Sequence, residues 1–201
     1  MNTKKLLLSL GAVAIILCSF TYKAFHGHEM IKLGAKAPMA DEKMKDVSGD
    51  SFSLNDLKET NGLLVVFSCN TCPFVVGGVG DGWEGRYNDI SQLSSENNIG
   101  MVLVNSNEAK REKGDSFDDM VERAKDKKFK SKYVIDNHSK LADAFGARTT
   151  PHVFLFDKNM ELVYVGAIDD NVKAAKEVKE TYLNDALTSL AKGEVITKKE
   201  T

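Results

Sequence analysis

Cysteine is scarce in this chain: among 201 residues there are only Cys18, Cys69 and Cys72, too few for a scaffold stapled by several disulfides. A structural zinc site would need two ligands beyond a single cysteine pair. No second pair exists, and the four histidines (His26, His28, His138, His152) show no ligand spacing apart from His26 and His28. Charge of one sign is equally missing. With 27 Lys and Arg against 29 Asp and Glu, the formal net charge is -2, and neither an acidic tail nor a long single-sign run appears. That balance excludes the basic footprint of a nucleic-acid partner and speaks only to solubility. Internal repeats, low-complexity tracts and phosphate-cradling glycine motifs of the dinucleotide or P-loop kind are also lacking. What remains is one ordinary globular domain with a short appendage, long enough for a core of its own.

The appendage is N-terminal. Lys4 and Lys5 precede an apolar run from Leu6 to Phe20, the proportions of a secretory signal and short for a full membrane span. Residues 1–22 are therefore read as a signal peptide or an N-terminal membrane anchor, and residues 23–32 as a linker. A buried N-terminal helix is the plain structural alternative. Cys18 raises lipidation, although Leu17 is not the small residue a lipoprotein site wants. The expected location is outside the cytoplasm, periplasmic or membrane-anchored facing the periplasm, with the membrane met only through this segment.

Residues 33–193 read as the folded domain and 194–201 as a tail. Met44–Val47 and Ser51–Leu54 flank Ser48-Gly49-Asp50 as a hairpin, and Asn55-Asp56 is a cap signal. Leu63–Phe67 is a strand buried on both faces. Helical spacing follows at Trp83, Tyr87, Ile90 and Leu93. Strands are expected over Gly100–Val104 and Tyr133–Ile135, with helices over Phe117–Ala124, introduced by Asp115-Ser116, and over Asn137–Phe145. Val153–Phe156 and Leu162–Val165 form an antiparallel pair, and a last helix spans about Val172–Leu190, ended by Gly193. Strands alternating with helices call for an α/β/α sandwich on a mixed sheet, parallel in its middle, with the hairpin as an N-terminal extension.

In an exported chain, Cys69 and Cys72 read as a redox pair. The loop they close is too short to restrict the unfolded chain much, and a strained short-loop disulfide cycles easily. A buried strand delivers them to the start of a helix, whose free N–H groups would lower the pKa of Cys69 and make it the nucleophile. Cys72, one turn into the helix, would resolve the mixed disulfide. Pro73 suits an early helical position, and Asn70 and Thr71 add no charge. Downstream, Thr149-Thr150-Pro151-His152 places a proline at the first residue of a strand, where its missing N–H costs nothing. The bond before it is a candidate cis peptide facing the cysteines. The candidate catalytic residues are Cys69, Cys72 and Pro151, with Thr150 and Pro73 as candidate substrate contacts. No metal or organic cofactor is called for beyond the Cys69–Cys72 disulfide itself. A Cu(I) site using the two thiolates with His138 or His152 is the non-enzymatic alternative.

At this point the sequence resembles the thioredoxin superfamily, in particular the redoxin branch that is similar to peroxiredoxins but carries a Cys-x-x-Cys pair. The resemblance rests on Phe67–Val75, Val104–Asn107, Phe145–Pro151 and Val163–Asn171, and covers most of residues 33–193. It implies a thioredoxin-like fold, Cys69 as nucleophile, Cys72 as resolving thiol and Pro151 as the neighbouring cis-proline. The implied partners are disulfide or dithiol proteins of the cell envelope and an electron donor or acceptor. A thiol-dependent peroxidase is the enzymatic alternative, with Cys72 in the peroxidatic place. Cys69 then stands where a peroxiredoxin has threonine, and Pro151 where it has its catalytic arginine, with Arg148 close in sequence.

Gly77-Gly78-Val79-Gly80-Asp81-Gly82 departs from that family pattern. Glycine costs a helix interior about 1 kcal/mol relative to alanine. A broken helix is expected here, resuming near Trp83, as a mobile lip or a tolerated insertion, and a break this early weakens the dipole acting on Cys69. Asp169-Asp170-Asn171 reads as a cation site or, more simply, a cap for the last helix. The lysines at 125, 127, 128, 130 and 132 read as a solvated helix end, and Asp136 with His138 as a proton path or a cap.

Overall fold

The structure, a computed structural model, describes residues 29–201 apart from Val79. The signal or anchor segment, Cys18 and residues 23–28 of the linker lie outside the described residues. Among the described residues, no helix is long and apolar enough to cross a membrane.

Seven strands and six helices follow in the order β1 (Met44–Asp46), β2 (Ser51–Phe52), α1 (Leu54–Leu57), β3 (Gly62–Ser68), α2 (Pro73–Val76), α3 (Tyr87–Glu96), β4 (Ile99–Asn105), α4 (Phe117–Lys127), β5 (Lys132–Ile135), α5 (Lys140–Phe145), β6 (His152–Asp157), β7 (Leu162–Gly166) and α6 (Tyr182–Lys192). They form one sheet in the order β2-β1-β5-β4-β3-β6-β7. β3, β4 and β5 run parallel in the middle, and the outer pairings are antiparallel, as the alternation of elements predicts.

Every residue of β3 and β4 is buried, which is why both read as continuous apolar runs. Alternate side chains feed two cores. Leu64 and Val66 join Tyr87, Ile90, Met120 and Leu183 on one face; Leu63, Val65 and Phe67 join Leu54, Leu141 and Phe145 on the other. Phe145 of α5 makes edge-to-face contacts with Phe67, Phe154 and Phe156, centroids 5.3, 5.1 and 5.6 Å away. We expect Phe145→Ala to destabilise the fold by about 3–5 kcal/mol, read by denaturant unfolding, because a rigid aromatic cluster cannot collapse into the void.

The helix caps differ in detail from the sequence reading. Ser53, not Asn55, caps α1 in a capping box with Asp56, and Ser116 caps α4 in the same way with Asp119. The last helix begins at Tyr182, ten residues later than predicted, and keeps Gly193 as its left-handed terminus. Residues 172–181 are held out of the helix by the glycine segment: the Asp81 amide donates to the Lys173 carbonyl and the Ala175 amide to Asp81 Oδ2. A Cβ at Gly80 would lie 2.3 Å from Lys173 Cα, so this glycine permits a close backbone approach. Gly80 and Asp81 thus pack against residues 173–175. Asp169 consequently does not cap the last helix; its carboxylate accepts the Asn171 amide at 2.8 Å and pairs with Arg86 beside Trp83. Lys127 and Arg123 both reach the buried Glu84, so that end of α4 is more than solvated charge. Residues at both margins pack on the domain. The Ile31 amide donates to the Phe145 carbonyl, Ile196 is buried, and Glu200 pairs with Val165.

Candidate active site

β3 ends at Ser68, whose hydroxyl meets the Tyr87 hydroxyl at 2.9 Å, and the chain then enters the cysteine loop. Both cysteines are free thiols, Cys69 buried and Cys72 partly exposed. The Cys72 amide donates to Cys69 Sγ at 3.2 Å, and the Thr150 hydroxyl lies 3.4 Å from the same sulfur. Cys72 Sγ instead donates to the Thr150 carbonyl at 3.5 Å. The Thr150–Pro151 bond is cis. Positions about 80 residues apart in sequence are thereby brought together, because β6 pairs antiparallel with β3 and sets His152 opposite Phe67. Cys69, Cys72, Pro73 and Thr150 line one cleft of about 530 Å³, with Arg148, Lys110, Asn107 and Ser139 around it.

Two expectations about the thiols are corrected. Cys72 is the N-cap of α2, not a residue one turn inside it, and Cys69 stands four residues ahead of Pro73, the first residue of the helix. That helix is only Pro73–Val76, closed by Gly77 in the left-handed conformation, as the glycine run predicts; regular helix returns at Tyr87. Its dipole is accordingly small and distant. Burial pushes the Cys69 thiol up to about 12, a rise opposed by the Thr150 hydroxyl and helped by the nearby Cys72 and Asp115. The resting protein therefore carries Cys69 as a neutral thiol, contrary to the depressed pKa expected of a helix start.

Asp115 is the functional candidate that sequence reasoning missed, having read it as part of a helix cap. It is fully buried and accepts hydrogen bonds from the Asn70 amide and the Thr71 hydroxyl, both at 2.6 Å. Nothing in an Asp-Ser pair ahead of a helix distinguishes an aspartate that turns inward from one that faces solvent.

The two described histidines, His138 and His152, do not line the cleft. His152 is buried, and its Nδ1 accepts the Arg148 amide at 3.2 Å; His138 is exposed, 3.7 Å from Glu108. Among the described residues, no three His, Cys, Asp or Glu side chains converge as metal ligands, so the cysteine–histidine copper arrangement is not assembled there. Asp136 serves as a cap, accepting the Leu141 and Ala142 amides at 3.0 Å each. Burial lowers the His152 imidazole to about 4, with Arg148 adding to the effect. The sign follows: the neutral ring contributes stability above about pH 6.5, the unfolded value, and that contribution is lost as pH falls toward 4. We expect an acid-side loss on the order of 2 kcal/mol between those pH values, absent in His152→Gln, measured by denaturant titration at each pH.

Comparison with known proteins agrees with this geometry. An uncharacterised conserved protein from Geobacillus kaustophilus is 26% identical, with a TM-score of 0.75 over 86% of this chain and 88% of its own. A hypothetical protein from Sinorhizobium meliloti is 28% identical, with a TM-score of 0.74 over 86% and 93%. The thioredoxin domain of a thiol-disulfide oxidoreductase from Bacteroides vulgatus shares the fold at 20% identity, with a TM-score of 0.53 over 67% and 88%. No curated protein sequence matches the chain. The Redoxin family profile matches residues 32–183, which take in the sheet, both cysteines and the Thr150–Pro151 bond, and the chain belongs to the Redoxin family.

Proposed function

We propose that this Redoxin-family chain is a thiol–disulfide oxidoreductase that exchanges disulfides with proteins of the cell envelope through Cys69 and Cys72. The observation that carries the reading is the unequal treatment of the two sulfurs. Cys69 Sγ receives the Cys72 amide and faces the Thr150 hydroxyl, two donors that oppose the rise burial imposes on its thiol; Cys72 Sγ instead donates to the Thr150 carbonyl. In the exchange, the Cys69 thiolate attacks one sulfur of a substrate disulfide. The other substrate sulfur leaves and takes a proton from solvent. Cys72 then gives up its proton and attacks Cys69 Sγ, closing the Cys69–Cys72 disulfide and releasing the second substrate thiol. The substrate gains two electrons and two protons, and an external dithiol returns the enzyme to its starting state; the reverse sequence oxidises a substrate dithiol. Pro73 and Thr150 flank the reacting sulfurs in the cleft, and Pro151 follows Thr150 just outside the cleft lining.

Phe74, half exposed beside Pro73, offers an apolar contact suited to a polypeptide substrate. The basic flank and apolar run at Lys4–Phe20 support an exported protein, periplasmic or anchored facing the periplasm. The test is turnover of a disulfide-bonded polypeptide with a dithiol donor, together with the reduction potential of the couple. A potential near -270 mV, about that of thioredoxin, marks a reductant, and one near -120 mV an oxidant. No exchange under either condition sinks the proposal.

A thiol peroxidase is the second reading, favoured by Arg148 lining the same cleft as Cys72. Peroxide reduction that survives Cys69→Ser but not Cys72→Ser selects it.

A further inference from the structure

The exchange reaction makes no use of the most buried charged group near the cysteines. Asp115 accepts four hydrogen bonds from neutral donors: the Asn70 amide (2.6 Å), the Thr71 hydroxyl (2.6 Å), Asn105 Nδ2 (2.7 Å) and Asn107 Nδ2 (2.8 Å). Asn105, itself fully buried at the end of β4, also donates to the Tyr133 hydroxyl, and Tyr133 donates to Asn70 Oδ1 at 2.8 Å. Both residues between the cysteines are therefore fastened to one cage. Its wall stands close: a Cβ at Gly114 would lie 2.7 Å from the Thr71 methyl, so only glycine lets the Asp115 loop come this near.

Among the described residues, no Lys, Arg or His forms an ion pair with Asp115. Arg111, the adjacent cation, spends its guanidinium on Asn105 Oδ1 and on the carbonyls of Asn105, Asp115 and Asp136, with Glu108 at 3.4 Å. The other titratable groups facing the cage are Cys69, Cys72, Tyr87 and Tyr133, and Asp136 lies beyond Arg111 with its carboxylate occupied by Leu141, Ala142 and Ser106. The carboxylate is solvated by neutral donors, and a negative charge there disfavours an anion on the nearby Cys69.

We propose that Asp115 is a positioning residue that sets the reactivity of the Cys69–Cys72 couple, its carboxylate locking the Asn70–Thr71 connection so that the sulfurs stay adjacent while its charge opposes an anion on Cys69. This deepens the exchange reading and rests on it. A rigid connection favours ring closure, since each thiol meets the other at high effective concentration. A loosened one favours the open dithiol. In glutathione buffer, the protein disulfide and two glutathione thiols give two protein thiols and one glutathione disulfide. One S–S bond breaks and one forms, and two electrons and two protons pass to the protein.

The experiment uses the full chain and its Asp115→Asn variant, equilibrated in glutathione buffers at pH 7. Alongside it, the pH profile of Cys69 alkylation by iodoacetamide is measured in a Cys72→Ser background. The expected result for D115N is an equilibrium moved about tenfold toward the dithiol, about 30 mV for this two-electron couple. Its alkylation profile should lie about one unit lower in pH, raising the rate at pH 7 about threefold after the loss of intrinsic nucleophilicity. A purely structural role would lower thermal stability and leave the profile in place. An unchanged equilibrium and profile in folded D115N overturns the proposal. If D115N does not fold, Thr71→Val keeps the charge and removes one clamp. Its equilibrium should move toward the dithiol about three- to fivefold, the worth of one neutral hydrogen bond, with the profile unmoved; no movement overturns the proposal. Alkylation needs no turnover, so a wild type inactive in exchange sinks the functional reading without deciding the role of Asp115.

Discussion

Cys69→Ser should lose disulfide-exchange turnover by at least about a thousandfold, the scale on which removing a nucleophile acts. Cys72→Ser should behave differently. Its Cys69 still attacks, but the mixed disulfide finds no neighbouring thiol and accumulates on the protein, where non-reducing electrophoresis and mass analysis detect it. The difference follows from the hydrogen bonds: Cys69 Sγ has an amide and a hydroxyl aimed at it, two donors that stabilise a developing thiolate, whereas Cys72 Sγ donates to the Thr150 carbonyl. If the trapped adduct instead forms on Cys72 in the Cys69→Ser protein, and not on Cys69 in the converse variant, the order of attack is reversed.

The second large effect is on pH. With the Cys69 thiol pushed up to about 12 by burial, only the thiolate reacts, so alkylation of the isolated residue should rise nearly tenfold per pH unit from neutrality upward. The increase from pH 7 to pH 10 should approach about a thousandfold, with no plateau in that range. An ordinary exposed thiol levels off near its own pKa of about 8.5. Thr150→Val removes the hydroxyl that opposes the rise and should move the profile further to alkaline pH. A plateau below pH 8 in the wild type would show that Cys69 is far better stabilised as an anion than its surroundings imply.

Much of this site was legible before any coordinates. Leu63–Phe67 is a run of five apolar residues with a cysteine two positions on, and its shortness and β-branched content mark a strand buried on both faces. Pro151 ahead of Val153–Phe156 marks a strand start for the same local reason, the missing N–H. The glycine run foretold the break after Val76, because helix propensity is a property of each residue. Less legible was where the last helix begins: Val172–Thr181 has residues a helix accepts, yet its backbone is engaged by Asp81 from a distant part of the chain. Propensity differences of a few tenths of a kcal/mol yield to such contacts.

By itself the sequence determined the order of strands and helices, the pairing of two thiols at a strand end and the proline loop far downstream, since hydrophobic period, glycine, proline and spacing act locally. Only the tertiary structure decided how that pair behaves. Cys69 is buried and its thiol raised, Cys72 caps a helix of one turn, Thr150 meets both sulfurs, and Asp115 turns inward to hold the residues between them. Burial and long-range hydrogen bonds are properties of the packed chain, and a linear reading has no measure of either.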